Sequence, residues 1–344
     1  MALRGLASAI MIYRSRQTRA LNNRVISKGA LMSVMVTGGT GFIGNRIIRK
    51  LLERGEEVVC FDLAPPRANL EPYLDRIKMY RGDVTQLPHI LEAINNNGVT
   101  RIIHMAALLP PDTEDRHHYA MQVNIGGTNN IFEAARWTGV ERVVYASSIA
   151  VYGVQETFGE RPINEDDLND PINVYGMTKS VNDYSAKQYI NKHGLDLRAV
   201  RICTVFGHGR VTGATGMIGG LLMSLPGIGK PVSMPFHQDE KSPMIHAEDA
   251  AEIFVRVALA EKLNYPVYIS GGTMCSIKEM ADMVKDIIPD ADIVTGDQVV
   301  PHVYNVDSSR MLADIGYEIA PLRQRILDHI NDARTEAGLD VLSG

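Results

Sequence analysis

The sequence predicts an α/β protein: a doubly wound parallel sheet with a smaller, less regular lobe grown from its C-terminal half. Three observations predict it. From Ser33 onward, short apolar segments alternate with helical patterns. The segments are continuous apolar runs, as a sheet covered on both faces requires. A glycine-rich turn separates the first such strand from the first helix.

The elements follow in order. Val34-Met35-Val36 is the first strand, the glycine turn breaks it, and an amphipathic stretch runs from Phe42 to Leu52 until Gly55 ends it. Val58-Val59-Cys60-Phe61 is the second strand. Further strands are expected at Ile77–Tyr80, Arg101–His104, Arg142–Ala146 and Leu197–Ile202. Helices are expected between them at Leu87–Asn95, Arg116–Thr138 and Val174–His193. After Phe206 glycines cluster and are followed by Pro226, Pro231, Pro235 and Pro243, before a helical pattern resumes at Ala247–Leu259. The expected organisation is a nucleotide-binding domain over 33–206, with 244–262 returning to it, and a substrate lobe over 207–243 and 263–340. A cleft between two such lobes is a natural ligand site.

Charge and composition narrow the function classes. The 344 residues are 45% hydrophobic and 22% charged, with a net charge of −5. Residues 1–31 hold six basic side chains and no acid, leaving 29 basic against 40 acidic in the remainder, or −11. A body that acidic repels a phosphate backbone, which excludes nucleic acid as the main partner. Cys60, Cys203 and Cys275 are isolated, so neither a disulfide framework nor a metal centre is expected, and a reducing, cytoplasmic setting is. His117 and His118 are adjacent and cannot share a helix face, which argues against a metal there. No apolar run approaches the roughly 18 residues a membrane span needs. The basic leader 1–31 reads as a transit peptide or as an upstream start preceding Met32, and stands outside the fold argument.

The turn Thr37-Gly38-Gly39-Thr40-Gly41-Phe42-Ile43-Gly44 offers a helix N-terminus, with its free amides and positive dipole end, to a diphosphate. Gly38 permits the tight turn, Gly41 admits the phosphates, and Gly44 lets helix and strand approach. Asp62 ends the second strand 24 residues after Gly38. Its carboxylate suits both ribose hydroxyls and repels a 2′-phosphate, which favours NAD over NADP; Arg67 is the nearby cation that would act the other way. Asp83-Val84 is placed to hold an adenine edge, or Asp83 caps the next helix.

Tyr175 and Lys179, four residues apart on a helix, share one face. An ammonium stabilises a phenolate, and lowering the tyrosine pKa by about three units corresponds to about 4 kcal/mol. Ser148, just beyond the fifth strand, supplies a hydroxyl to hold the substrate oxygen while the proton moves.

These residues together resemble an extended short-chain dehydrogenase/reductase of the NAD-dependent epimerase/dehydratase family. The resemblance rests on the Thr37–Gly44 turn, Asp62, Asp83-Val84, His104-Met105-Ala106-Ala107 and Val123-Asn124-Ile125-Gly126-Gly127-Thr128. It continues through Ser147–Gly153, Tyr175-Gly176-Met177-Thr178-Lys179, Arg201 to Gly207 and Ile245–Asp249, covering 33 to about 335. It implies a Rossmann-type fold, Tyr175 as acid/base, Lys179 on the nicotinamide ribose and Ser148 on the substrate hydroxyl. It also implies that Ala106, Ala107 and Asn124 lie beside the cofactor and that Cys203 backs the nicotinamide. A homodimer packed as a four-helix bundle of Arg116–Thr138 and Val174–His193 is implied as well.

Departures from the family pattern restrict the chemistry. Sugar-nucleotide 4,6-dehydratases follow the active hydroxyl with Asp-Glu; here Ile149 and Ala150 follow Ser148 and have no proton to give. Elimination is thereby excluded, leaving hydride transfer as net oxidation or as internal epimerisation. Thr204, Ser242-Pro243 and Val299-Val300-Pro301-His302 stand where sugar-nucleotide enzymes carry Asn, Arg-Asp and a second Arg. Arginine grips a diphosphate bidentately, so its absence favours a small non-nucleotide hydroxy substrate: a sugar, polyol, sugar acid or similar carbinol. Arg210 is a candidate contact for a substrate carboxylate, and Thr204 and His237 are candidate neighbours of the substrate. Trp137 reads as core. The competing functions are a nucleotide-sugar 4-epimerase and a non-catalytic NAD sensor; the retained Tyr175/Lys179 pair speaks against the second.

Overall fold

The computed structural model describes residues 32–66, 68–210 and 213–343. The leader 1–31 and Arg67 lie outside the described residues. The chain divides after Met32, and Ser33–Gly344 is one compact unit.

Seven parallel strands form its central sheet: β1 (Ser33–Thr37), β2 (Glu57–Asp62), β3 (Ile77–Arg81), β4 (Arg101–His104), β5 (Arg142–Ser148), β6 (Leu197–Ile202) and, from far along the chain, β10 (Val267–Ile269). Their spatial order is β10-β6-β5-β4-β1-β2-β3. All five residues of β1 are buried, as its apolar run requires. The chain leaves β1 toward β2 and β3, then returns to lay β4 on the other side of β1. That reversal opens a crevice beyond the carboxyl ends of β1 and β4, where open α/β sheets bind ligands.

Four helices cover the sheet: α1 (Gly44–Glu53), α2 (Leu87–Asn97), α3 (Thr128–Thr138) and α4 (Val174–His193). The expected helix over 116–138 is in part a π-helical segment, Met121–Gly127, leading into α3. Trp137 is a correction: it is 46% exposed. Ile131, Phe132, Ala134 and Ala135 make the buried face of α3, and Trp137 falls off that stripe, with the Arg136 guanidinium 5.8 Å from its ring.

The second lobe holds β7 (Thr204–Phe206), β8 (Val232–His237), β9 (Lys241–His246), β11 (Thr273–Ser276) and β12 (Ile293–Gly296), in sheets ordered β11-β9-β7 and β12-β8. Between β9 and β10, α5 (Ala247–Leu259) returns to lie on α1, where Glu248 pairs with Lys50 at 3.2 Å and Glu252 with Arg54 at 2.6 Å. Helices α6 (Ile277–Ile287), α7 (Ser309–Ile315) and α8 (Leu322–Glu336) complete the chain. Phe206, Leu222, Met234, Met280, Val284, Ile326 and Ile330 share this lobe's core. One boundary differs from expectation. Val267–Ile269, from the stretch assigned to the substrate lobe, is the outer strand of the central sheet, a strand of three residues too short to read as one in sequence.

Candidate active site

Ser148 closes β5 in extended conformation, and its Oγ accepts from the Ala150 amide at 3.1 Å, starting a short helical turn over Ile149–Tyr152. The first turn of α4 packs on that turn: a Cβ at Gly176 would stand 2.4 Å from the Ala150 carbonyl. Only glycine allows this approach, which brings Tyr175 near enough to Ser148 for the serine hydroxyl to favour the phenolate. Asn173 caps α4 from within, accepting from Gly176 at 2.7 Å. Glu114 caps it from outside, its two carboxylate oxygens accepting from the amides of Val174 and Tyr175 at 3.0 and 3.1 Å. A carboxylate there also complements the helix dipole. Glu114 therefore aims Tyr175, yet 60 residues separate it from α4 and nothing in the sequence connects them.

Lys179 is buried, and its Nζ donates to the Ala146 carbonyl on β5 at 2.7 Å while standing 5.5 Å from the Tyr175 ring centre. Burial pushes this ammonium down to about 8, and Asp183 opposes the shift. The expected lowering of the Tyr175 pKa by Lys179 is not what the structure gives. Burial raises the phenol above its usual value; the groups that act against burial are the Ser148 hydrogen bond and the charge of Arg210. Lys179 has turned its ammonium to a backbone carbonyl. Arg210 is half-buried, donates to Thr215 Oγ1 at 2.6 Å, and has its own pKa lowered by burial, with Tyr175 opposing the shift.

The glycine turn lies at the crevice. Gly38 has φ +65°, and a Cβ there would stand 2.8 Å from the Ala106 amide nitrogen, so the turn and the loop after β4 touch. A Cβ at Gly44 would stand 2.1 Å from the Gly38 carbonyl. No side chain caps the N-terminus at Ile43. Phe42 lies under the Arg46 guanidinium at 4.7 Å and close against Gly207, at the junction with the second lobe. Asp62 is fixed by the turn it serves: one oxygen accepts from the Thr40 amide and hydroxyl at 3.0 and 2.8 Å, the other from the Ala64 amide at 3.0 Å.

The remaining predicted residues divide. Asp83 accepts from the Thr85 amide at 2.8 Å, a local turn ahead of α2, whose cap position is Gln86. Val84 is buried, and its carbonyl takes the Asn130 amide at 3.0 Å. Ala106 and Ala107 line the loop after β4. Asn124 holds that loop from behind, bonding the Leu108 amide at 2.7 Å and carbonyl at 3.0 Å and reaching Thr178 at 3.3 Å. Cys203 is buried just after β6, its thiol pushed up to about 12 by burial and its amide donating to Ser270. Thr204 opens β7 opposite Met244. His237 stands at the end of β8, half-exposed beside Asp239; its amide donates to the Gln298 carbonyl at 2.8 Å, and its ring contacts are those of its own turn.

This set fits a dinucleotide. A cradle that a Cβ would fill, an uncapped helix start and a fixed carboxylate 22 positions after Thr40 suit diphosphate and adenosine ribose, and Ser148, Tyr175 and Lys179 lie beyond β5. The positions of the missing arginines meet in space: Ser242 is buried and bonds His302 at 2.8 Å. That place holds a hydroxyl–imidazole pair, with no guanidinium.

Comparison with known proteins agrees with this geometry. The sequence model of the NAD dependent epimerase/dehydratase family matches residues 34–269. UDP-glucose 4-epimerase of Lacticaseibacillus casei is 29% identical over 51% of this chain and 52% of its own length. D-erythronate dehydrogenase of Cupriavidus necator is 27% identical over 51% of this chain and 55% of its own. The chain spans about half the length of the first curated relatives it matches. Among solved structures, L-threonine 3-dehydrogenase from Trypanosoma brucei superposes with a TM-score of 0.81 at 22% identity, covering 90% of this chain and 99% of that one, which shows the shared fold. The chain belongs to the NAD dependent epimerase/dehydratase family.

Proposed function

We propose that the protein is an NAD-dependent oxidoreductase acting at a CH–OH carbon of a small hydroxy substrate, with Ser148, Tyr175 and Lys179 as its working groups. The observation that carries this is their convergence at the carboxyl end of β5: Ser148 closes the strand, Tyr175 lies near enough for the serine to favour its phenolate, and Lys179, on the same helix face, donates to the Ala146 carbonyl. When bound, NAD supplies the hydride acceptor. Tyr175 takes the hydroxyl proton as the carbinol becomes a carbonyl, and Ser148 holds the substrate oxygen during transfer. Lys179 holds the nicotinamide ribose, while Ser148 and the charge of Arg210 favour the phenolate. Asp62 receives the adenosine ribose, Gly38 to Gly44 the diphosphate, and Ala106, Ala107 and Cys203 flank the cofactor, with Asn124 fixing the loop at Ala106.

In this reading residues 33–206 with 244–262 form the cofactor domain, joined by β10, and 207–243 with the rest of 263–340 receive the substrate. Arg210 is the contact proposed for a substrate carboxylate: its charge bears on Tyr175, so a carboxylate seated there would place its carbinol by the phenol. The Ser242–His302 pair, standing where an arginine would grip a diphosphate, supports a non-nucleotide substrate over a nucleotide-sugar 4-epimerase. No helix among the described residues is long and apolar enough to cross a membrane, and a cytoplasmic protein fits the three free cysteines. Val181 and Tyr184 on α4 and Met121 before α3 are exposed, which suits a homodimer through a four-helix bundle.

The test is a panel of sugar acids, hydroxy acids, polyols, free sugars and UDP-sugars with NAD, read at the NADH absorbance. Sustained NADH formation from a hydroxy acid is expected, and Tyr175→Phe should cut turnover by roughly 10²–10⁴-fold while NAD still binds. Full activity in that variant overturns the assignment. Interconversion of UDP-sugars without net NADH selects the epimerase.

A further inference from the structure

The reaction described above leaves a second set of buried charges unused. Asp183 lies one helical turn beyond Lys179, as Lys179 lies one turn beyond Tyr175, so the three form one line along α4. Asp183 is buried at 9% exposure and Arg201 on β6 at 5%. One Asp183 oxygen accepts from Arg201 Nε at 2.9 Å and Ser147 Oγ at 3.1 Å; the other accepts from the Tyr145 hydroxyl at 3.2 Å. Arg201 is held in turn, donating to the Tyr152 hydroxyl at 2.5 Å and the Glu165 carbonyl at 3.1 Å.

A purely structural tie between α4 and β6 does not require ions. Replacing a buried ion pair by packed apolar side chains is often neutral or stabilising, because two desolvated charges recover little net energy. The pair therefore invites a role in setting a neighbour's charge. The neighbour in need is Lys179, whose direct partner is the Ala146 carbonyl, a neutral acceptor. The other groups around it offer no anion. His104 on β4 sits between Thr37 and Thr128, and burial pushes it down to about 3, so it is neutral. Tyr175 is a buried phenol on α4, and Tyr145 and Ser147 on β5 are neutral donors to Asp183. Arg201 on β6 is a second cation behind them. Among the described groups facing Lys179, Asp183 is the carboxylate.

We propose that Asp183 is the counter-ion that keeps Lys179 an ammonium at working pH, and that Arg201 is the clamp that fixes this carboxylate one layer behind the candidate active site. Both are positioning residues. This rests on the reading that the Lys179 charge is used, and it explains how a cation survives with a neutral direct partner. The sign follows from burial. Removing Asp183 lowers the Lys179 pKa further, so the ammonium is lost at lower pH and with it the charge proposed to hold the nicotinamide ribose.

The test is direct titration of Lys179 in the chain without NAD, by NMR of protein labelled with ¹³C at the lysine ε-carbon and assigned with Lys179→Arg. In Asp183→Asn the Lys179 midpoint should fall by about one pH unit or more, a tenfold loss of ammonium above the midpoint. Asp183→Glu, which keeps the charge, should restore it. If Asp183→Asn does not fold because Arg201 is left unpaired, comparing Asp183→Asn/Arg201→Met with Arg201→Met isolates Asp183 on a background without that cation and carries the test. An unchanged midpoint in the folded variant overturns the proposal. Turnover supplies the second readout: the alkaline limb of the pH profile of kcat/KM should move to lower pH, where a merely structural defect would scale the profile down without moving it. Lys179→Met separates the two readings. If it turns over normally, the proposed function of Lys179 fails; if it is inactive while Lys179 titrates alike with and without Asp183, the counter-ion assignment alone falls.

Discussion

The two halves of the candidate site are built from contacts of different range. On the cofactor side, the turn from Gly38 to Gly44 closes on itself: the Gly38 carbonyl lies where a Gly44 side chain would begin, and Asp62 ties back to Thr40. On the substrate side, Arg210 comes from a loop after β7, Ser242 from β9 and His302 from the segment after β12. The first half is a backbone shape, set once by spacing and hard to alter. The second is a meeting of side chains from distant positions, and substitutions there exchange one function for another without disturbing the fold. A family that varies its substrate around one cofactor needs that division.

The sharpest way to break the comparison is Gly44→Ala. A methyl 2.1 Å from a carbonyl held by its own turn cannot be relieved by a rotamer change, so backbone must move. Overpacking of this kind costs about 3 kcal/mol. The expected outcome is a melting temperature lower by several degrees and NAD affinity reduced by at least tenfold, measured by calorimetry. Near-normal affinity would show that the turn yields and is not the rigid half.

The same difference in range explains what sequence could reveal. The strands over 101–104 and 197–202 and the helices over 174–193 and 247–259 were legible to the residue, because their periodicity and caps are local. The glycine turn ahead of α1 and the four-residue spacing of Tyr175 and Lys179 on α4 are local patterns of the same kind. Glu114 and the Asp183–Arg201 pair were not, since each acts across 18 or more positions and looks like any charge on a helix. The direction of the Tyr175 pKa was missed because burial, which outweighs its neighbours, has no sequence signature. Trp137 was missed because one position of rotation separates the buried stripe of α3 from solvent.

Acid should probe both halves at once. His104, in the sheet beneath the cofactor crevice, is pushed down to about 3 by burial, and His246, at the start of α5 against Phe206, to about 4. Each folded value lies below the unfolded one near 6.5, so between these limits only the unfolded chain takes up the proton. Stability present above pH 6.5 is therefore lost as pH falls toward 3 to 4. At pH 5 each histidine accounts for about 2 kcal/mol. Urea unfolding at pH 7.5 and 5.0 measures the loss, and His104→Gln should recover about 2 kcal/mol of it. A loss unchanged in that variant would assign the acid sensitivity to His246.

The smallest effect separates shape from charge within the cofactor half. Asp62 both accepts from Thr40 and presents its carboxylate where the adenosine ribose is proposed to lie. Asp62→Asn keeps the size and one acceptor for the Thr40 amide, so the turn should survive with its melting temperature within a degree or two. The charge that repels a 2′-phosphate is gone, and the preference for NAD over NADP should fall about tenfold, equivalent to about 1.4 kcal/mol. Calorimetric titration with both dinucleotides reads this directly. A wild-type protein that binds NADP more tightly would mean that a cation outweighs Asp62, and that the rigid half of the site takes its specificity from a side chain after all.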